Sequence, residues 1–293
     1  MLNFKSMIIK KPNKLTKNQL EAMEALVQIC GKHDETEAAL DVDESFKAPN
    51  DVNSFLLYEE DQLLSFINCF APKTYEAELS AFTHPEYRKK GLFRKLLTAA
   101  KAELVSRGIS DILFVCDRKS KDGQSVASHL KAVYDFSEYS MQYTSEYKIS
   151  TLVPNLRVRA AVPEDSSELV NLSRLSFSES DEDADNYIKH IFSSKNRTQH
   201  VAVMDDKIAG MISTAIEGKK SYIHGLCVSP EYRKRGIGGA LLDYKVGQSL
   251  MRHPDFAVEL EVETQNDGAL SIYERAGFEV KACYDYFRKI VSD

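Results

Sequence analysis

The segment His84-Pro85-Glu86-Tyr87-Arg88-Lys89-Lys90-Gly91 returns 145 positions later as Ser229-Pro230-Glu231-Tyr232-Arg233-Lys234-Arg235-Gly236, in a chain of 293 residues. A repeat spacing near half the chain length means duplicated domains, because solenoid repeats run on the order of 20–50 residues. The same offset carries Phe55–Ile67 onto His200–Ile212, two apolar runs each broken by an acidic turn, and each predicts a β-hairpin. At roughly 100 to 200 residues per domain, the length suits two domains that each enclose a core. The boundary is set between 150 and 151, giving domains 1–150 and 151–293. Pro154 precedes a fresh strand at Leu156–Ala161 there, and Pro163-Glu164-Asp165-Ser166 opens a helix. The matching start in the first half is a strand at Met7–Lys10 with Thr16 as the following N-cap.

Apolar residues at helical spacing follow each repeat: Leu92, Leu96, Leu97 and Leu104 in the first half, Leu242, Val246 and Leu250 in the second. Gly108 and His253-Pro254 stop these helices. Strands come next at Ile112–Val115 and Val258–Glu263, the second alternating apolar and acidic residues so that one face meets solvent. Each half therefore reads strand, helix, hairpin, strand, helix, strand, helix, strand, a mixed α/β unit.

Composition narrows the partners. With 38 Lys and Arg against 44 Asp and Glu the net charge is −6, so the basic runs sit in an acidic protein and nucleic acid is not an expected partner. No stretch approaches the roughly 20 apolar residues of a membrane span. Lys10-Lys11-Pro12 interrupts the amino-terminal apolar residues before a signal-peptide core forms, so the expected location is cytoplasmic and no membrane contact is expected. Cys30, Cys69, Cys116, Cys227 and Cys283 are scattered and lack a C-x-x-C pair, which predicts neither a disulfide framework nor a metal site.

The chemistry concentrates in the second half. A strand at Ile223–Val228 runs into Arg233, Lys234, Arg235, Gly236, Ile237, Gly238 and Gly239. Glycines let backbone N–H groups turn toward an anion, the helix that starts there adds its dipole, and the three cations add charge. Downstream lie Asn266, Ala269 and Tyr273, in the spacing N-x-x-A-x-x-x-Y, followed by Gly277-Phe278. With these motifs the chain resembles the GCN5-related N-acetyltransferases (GNAT), in a tandem arrangement similar to that of mycothiol synthase.

The resemblance implies two tandem acyl-CoA N-acyltransferase domains, with acetyl-CoA as co-substrate and transfer to a primary amine by direct attack in a ternary complex. It also implies that Arg233 to Gly239 hold the pyrophosphate, and that Leu226, Cys227 and Val228 lie along the pantetheine arm. Asn266 and Ala269 would complete the cofactor site and Tyr273 would act as general acid, since a phenol is protonated at neutral pH. His224 is the first choice for general base because its imidazole titrates near neutrality and because, counted along the strand, it shares a face with Tyr222 and Leu226. Glu261 or Glu263 could replace it, and in histone-type members a catalytic glutamate stands where this chain has Tyr222. Cys227 reads as packing, with no nucleophilic partner pattern. The acidic run Ser178–Asp185 reads as a loop beside the acceptor cleft, one that could draw in a cationic amine.

The first copy departs from the pattern. Phe93 stands at the position of Gly238, Asn266 has no counterpart, and aligning Phe136 with Phe278 puts Lys131 at the place of Tyr273. A structural, degenerate domain is expected there, with retained cofactor binding as the rival because Arg88 and Gly91 survive. The active site is therefore expected in 151–293. The competing readings for the whole chain are a non-catalytic CoA-thioester sensor or scaffold, and another acyl transfer. The acceptor is a small-molecule or peptide amine of unspecified identity, and the chain is expected to be a monomer or homodimer.

Overall fold

The computed structural model describes residues 7–38, 40, 42, 47–146, 152–177 and 179–292. Ser150 of the expected boundary and Ser178 of the acidic run lie outside the described residues. In chain order the first nine elements are β1 (Met7–Lys10), α1 (Lys17–Asp34), β2 (Ser54–Glu59), β3 (Gln62–Phe70), β4 (Glu76–Thr83), α2 (Leu92–Ser106), β5 (Asp111–Asp117), α3 (Lys121–His129) and β6 (Val133–Tyr143). The remaining ten are β7 (Arg157–Ala160), α4 (Ser166–Phe177), α5 (Asp181–Ser193), β8 (Arg197–Met204), β9 (Lys207–Glu217), β10 (Lys220–Val228), α6 (Ile237–Arg252), β11 (Ala257–Glu263), α7 (Asp267–Ala276) and β12 (Phe278–Ile290).

These elements form two compact units, Met1–Ser137 with Ala282–Asp293, and Glu138–Lys281. They differ from contiguous halves by one strand each. β12, last in the chain, pairs antiparallel with β5 from Tyr284↔Asp117 to Ile290↔Asp111 in the first unit. β6 pairs antiparallel with β11 from Glu259↔Gln142 to Glu263↔Glu138 in the second. The physical reason is that the outer edges of β5 and β11 would otherwise expose unpaired backbone groups, and either terminal strand can fill such an edge. Side chains fix the choice in the first unit. Asp285 on β12 accepts from Arg118 (2.7 Å), Ser137 (2.7 Å) and Gln124 (2.9 Å). Burial alone would raise this carboxyl's pKa, but the three hydrogen bonds outweigh it and hold the group below its ordinary range.

Within each unit the remaining order follows the duplication. The strand order is β1-β2-β3-β4-β5-β12 in the first unit and β7-β8-β9-β10-β11-β6 in the second, with β4–β5 and β10–β11 the parallel pairs. The offset of 145 survives in fine geometry: register shifts fall at Leu57/Tyr58 in one hairpin and at Ala202/Val203 in the other. Thr16 caps α1 as expected, in a reciprocal capping box with Gln19. In the first unit Leu92, Leu96, Leu97 and Leu104 of α2 bury against Phe55, Leu64 and Leu79. In the second, Leu241, Leu242 and Val246 of α6 bury against Ile212, Ile223 and Leu260, and Tyr273 joins the same cluster. Across the other face of the second sheet, Leu169, Leu172 and Ile188 of α4 and α5 pack on Val201, Met211 and Cys227.

Candidate active site

Both repeat segments adopt one backbone shape. A short 3-10 turn, Pro85–Tyr87 or Pro230–Tyr232, leads to an extended arginine at φ −63°, ψ 159° in each copy. Next comes a left-handed lysine, Lys89 (φ 59°) or Lys234 (φ 61°), and then a left-handed glycine, Gly91 (φ 81°) or Gly236 (φ 82°). Each glycine is a helix N-cap without a side chain to offer, so the first N–H groups of α2 and α6 receive no side-chain cap. Each arginine anchors its Nε on the carbonyl five residues back: Arg88 on Thr83 and Arg233 on Val228, both at 3.1 Å.

The copies part at the guanidinium. Arg88 closes two 2.7 Å hydrogen bonds on the carboxylate of Asp34 and a third, at 3.0 Å, on Asp122. Glu179, at the offset position of Asp34, instead accepts from Ser173 Oγ at 2.6 Å. Arg233, Lys234 and Arg235 are exposed, and among the described residues no carboxylate pairs with them. Arg235 lies over the Tyr232 ring at 5.3 Å and donates to the Glu231 carbonyl at 3.2 Å. An uncapped helix start beside three uncompensated cations fits a pyrophosphate. Phe93 does not project into its own loop; it packs on the first core cluster. What the first copy adds is the pair of carboxylates on its arginine.

The strand that enters the second loop carries a bulge that its first-unit counterpart lacks. β9 and β10 shift register between His224 and Cys227, at Gly225 (φ 62°), while β3–β4 pair regularly from Ser65↔Thr83 to Phe70↔Glu78. A Cβ on Gly225 would stand 2.7 Å from Tyr187 Oη, so that position takes only glycine. The extra residue also resets side-chain alternation. Leu226 and Val228 pack with the α6–α7 cluster, whereas Cys227 packs with α4 and α5. The expectation that His224 and Leu226 share a face is therefore corrected: an uninterrupted period of two does not hold across the bulge. At the same level the sheet opens, since β10 pairs with β11 only from Lys220↔Ala257 to Ile223↔Leu260.

Tyr273 lies on α7, in the cluster that α6 and α7 form on one face of the second unit's strands. It is buried, its ring meets Phe278 edge-on at 6.1 Å, and burial pushes its phenol up to about 12. Asn266 is the N-cap of α7, its Oδ1 accepting from Ala269 N–H at 3.1 Å. A Cβ on Gly238 would come within 3.5 Å of Ile272 and 3.7 Å of Val228, so loop, strand end and helix converge. Of the remaining loop residues, Ile237 is buried and Gly239 lies in the first turn of α6. In the first unit Ser120 takes the N-cap position. Counting from the caps puts Ala127 opposite Tyr273, so the alignment onto Lys131 is corrected. Lys131 sits past the end of α3 in a left-handed turn (φ 54°), as Gly277 (φ 101°) does after α7.

His224 is engaged at both ring nitrogens. Arg197 Nη1 lies 3.1 Å from Nε2 and Tyr187 Oη 2.7 Å from Nδ1. A guanidinium only donates, so Nε2 accepts and the ring proton resides on Nδ1, which donates to Tyr187 Oη. Burial, then the charges of Arg197, Lys245 and His190, push the imidazole down to about 3, so it is neutral at physiological pH. Tyr222 stacks beside it, ring centroids 6.0 Å apart, and donates to Glu261 Oε2 at 2.9 Å. Cys227 is buried and its thiol is raised to about 11 by that burial. The acidic run is not a loop: Ser180 caps α5, and Asp181, Glu182 and Asp183 form its first turn, where the helix dipole favours negative charge. Sequence reasoning missed Tyr187 and Arg197. The lone glycine inside the Ile223–Val228 strand was the available signal for the bulge.

The described residues hold no group of three or more His, Cys, Asp or Glu arranged for a metal, and among them no helix is long and apolar enough to cross a membrane. The chain resembles a GCN5-related N-acetyltransferase from Sphaerobacter thermophilus, with a TM-score of 0.74, 19% identity, and 97% of this chain and 96% of that one covered. It resembles a tandem GNAT protein from the clavulanic acid biosynthesis pathway with a TM-score of 0.71 at 13% identity, covering 98% and 99% of the two chains. A third likeness is to an acetyltransferase of the GNAT family from Colwellia psychrerythraea, with a TM-score of 0.62 at 13% identity and 96% and 99% covered. At such identities the likeness is one of fold. The model of the acetyltransferase (GNAT) family matches residues 20–131 and again 166–278, and the chain is a tandem member of that family.

Proposed function

We propose that the second unit transfers an acetyl group from acetyl-CoA to a primary amine by direct attack in a ternary complex. The observation that carries this reading is the contrast between two loops of one shape. Arg233, Lys234 and Arg235 have no carboxylate partner among the described residues, whereas Asp34 and Asp122 satisfy Arg88.

In this reading Arg233 to Gly239 hold the pyrophosphate, and Leu226 and Val228 offer their backbone to the pantetheine arm as to an added strand. Cys227 sits between them with its side chain in the core. Asn266 and Ala269 fix the first turn of α7 and so the height of Tyr273. Bound acetyl-CoA supplies the thioester and its leaving thiol. The Leu226 N–H, past the bulge, polarises the carbonyl. Tyr273 keeps its proton on Oη at neutral pH and gives it to the departing sulfur.

The amine loses its proton on the opposite face. Tyr222, His224 and Glu261 share that face, and Glu261 is the first outward residue of β11 beyond the Ile223↔Leu260 pairing. We assign the base to Glu261, acting directly or through one water. His224 would first have to give up Arg197, and its affinity for a proton is too low; we assign it the role of holding Tyr187 and Tyr222 in place. The test is release of free CoA thiol from acetyl-CoA across a panel of primary amines. Amine-dependent release by the wild type, reduced about 100-fold by Glu261→Gln, is expected. No release above buffer with any amine would sink the proposal.

A further inference from the structure

A second site lies in the first unit, away from its repeat loop. The second half of α2, the start of β5, the end of α3 and the end of β12 enclose a cavity of about 350 Å³. That is near the lower end of the roughly 300–1,000 Å³ typical of small-ligand sites. Its base is apolar: Leu97, Ile112 and Phe114 are buried there. The polar groups that line it are Lys101, His129, Lys131 and Lys289, and no carboxylate lines it. Among the described residues none of these four has an ion-pair partner.

A helix end accounts for part of this. His129 ends the last turn of α3 and Lys131 follows it, where a cation opposes the negative pole of the dipole. Lys101 on α2 and Lys289 on β12 come from other elements and have no such reason to converge. Lys289 is directed here by strand alternation, because its neighbour Arg288 turns to the opposite face and pairs with Glu76, Asp111 and Asp135. Glu76, Asp111 and Asp135 are thus committed to Arg288, and three lysines line the cavity over an apolar floor without an ion-pair partner among the described residues. Such a lining favours an anion, and the floor favours one that brings a hydrophobic body.

We propose that this cavity binds a small organic anion with an apolar body, such as an aromatic carboxylate. Three probes separate charge from shape: 2-naphthoate, its neutral amide 2-naphthamide, and acetate, each titrated calorimetrically into the full chain. Naphthoate should bind at least tenfold more tightly than either of the others. The double variant Lys101→Glu, Lys289→Glu should weaken naphthoate tenfold or more while keeping the wild-type melting temperature within a few degrees. The single variants serve if the double variant does not fold. Arg233→Glu should leave naphthoate affinity unchanged, which distinguishes this cavity from the loop of the second unit. Equal binding of amide and acid, unchanged binding in the charge-reversed variants, loss of binding in Arg233→Glu, or no heat at millimolar naphthoate would each overturn the proposal.

Discussion

Arg88 Nη1 and Nη2 each meet a carboxylate oxygen of Asp34 at 2.7 Å, with both side chains more than four-fifths buried. The pairing raises the guanidinium pKa further above its usual value and, although burial works the other way, lowers that of Asp34. On a loop whose backbone matches that of the second copy, the guanidinium has thereby been turned inward, toward the end of α1.

The two arginines should separate stability from ligand binding. Arg88→Ala leaves Asp34 partly buried with His33 Nδ1, at 2.8 Å, as its remaining side-chain partner, at a cost of about 2 kcal/mol, or roughly 4–8 °C in melting temperature. Arg233→Glu, at an exposed position, should shift melting by less than about 2 °C yet weaken acetyl-CoA binding at least tenfold. Calorimetric titration and thermal melts of both variants check this. Equal loss of acetyl-CoA affinity in the two would contradict it.

Gly225→Ala should destabilise the second unit by about 1–3 kcal/mol, from the left-handed φ and the 2.7 Å approach to Tyr187 Oη. Adding Tyr187→Phe removes the atom that the new methyl meets, so the double variant should recover part of the loss. A double-mutant cycle on melting free energies gives the coupling, and simple additivity would show that the contact is not the cause.

Lys245 predicts a pH dependence. It is buried on α6 with Nζ against Thr198 (3.0 Å), His200 (3.2 Å) and Gln248 (3.2 Å), and burial followed by the charge of Arg252 lowers it from 10.5 to about 7. Between those values the unfolded chain binds the extra proton, so stability rises with pH, by at most about 1.4 kcal/mol per pH unit from this group. Below pH 7 both states are protonated and the contribution is flat. Against Lys245→Met, the wild type should gain stability from pH 7.5 to 10; a constant difference would rule out a neutral buried amine.

The duplication, the hairpins, both loops and the Thr16 cap of α1 were legible because glycine, proline, a capping hydroxyl and apolar spacing act locally. The face of His224 was not, because counting by twos assumes a regular ladder and Gly225 interrupts it. Asp34 could not be matched to Arg88 from 54 positions away, since charge pairing follows packing and not spacing. The edges filled by β6 and β12 were equally hidden: the two strands have similar patterns, and which edge each fills rests on contacts such as Arg118 with Asp285. Ser120, the cap that matches Asn266, sets α3 four positions away from the alignment of Phe136 with Phe278, which moves the counterpart of Tyr273 from Lys131 to Ala127.

The most direct test is the turnover of Tyr273→Phe with the most active amine of the panel, measured as CoA thiol released at saturating acetyl-CoA. Loss of the hydroxyl should lower kcat about 100-fold or more while the affinity for acetyl-CoA stays within threefold, because the proton donor is gone and the cradle is intact. An unchanged kcat with unchanged acetyl-CoA affinity would contradict a catalytic centre built on Tyr273.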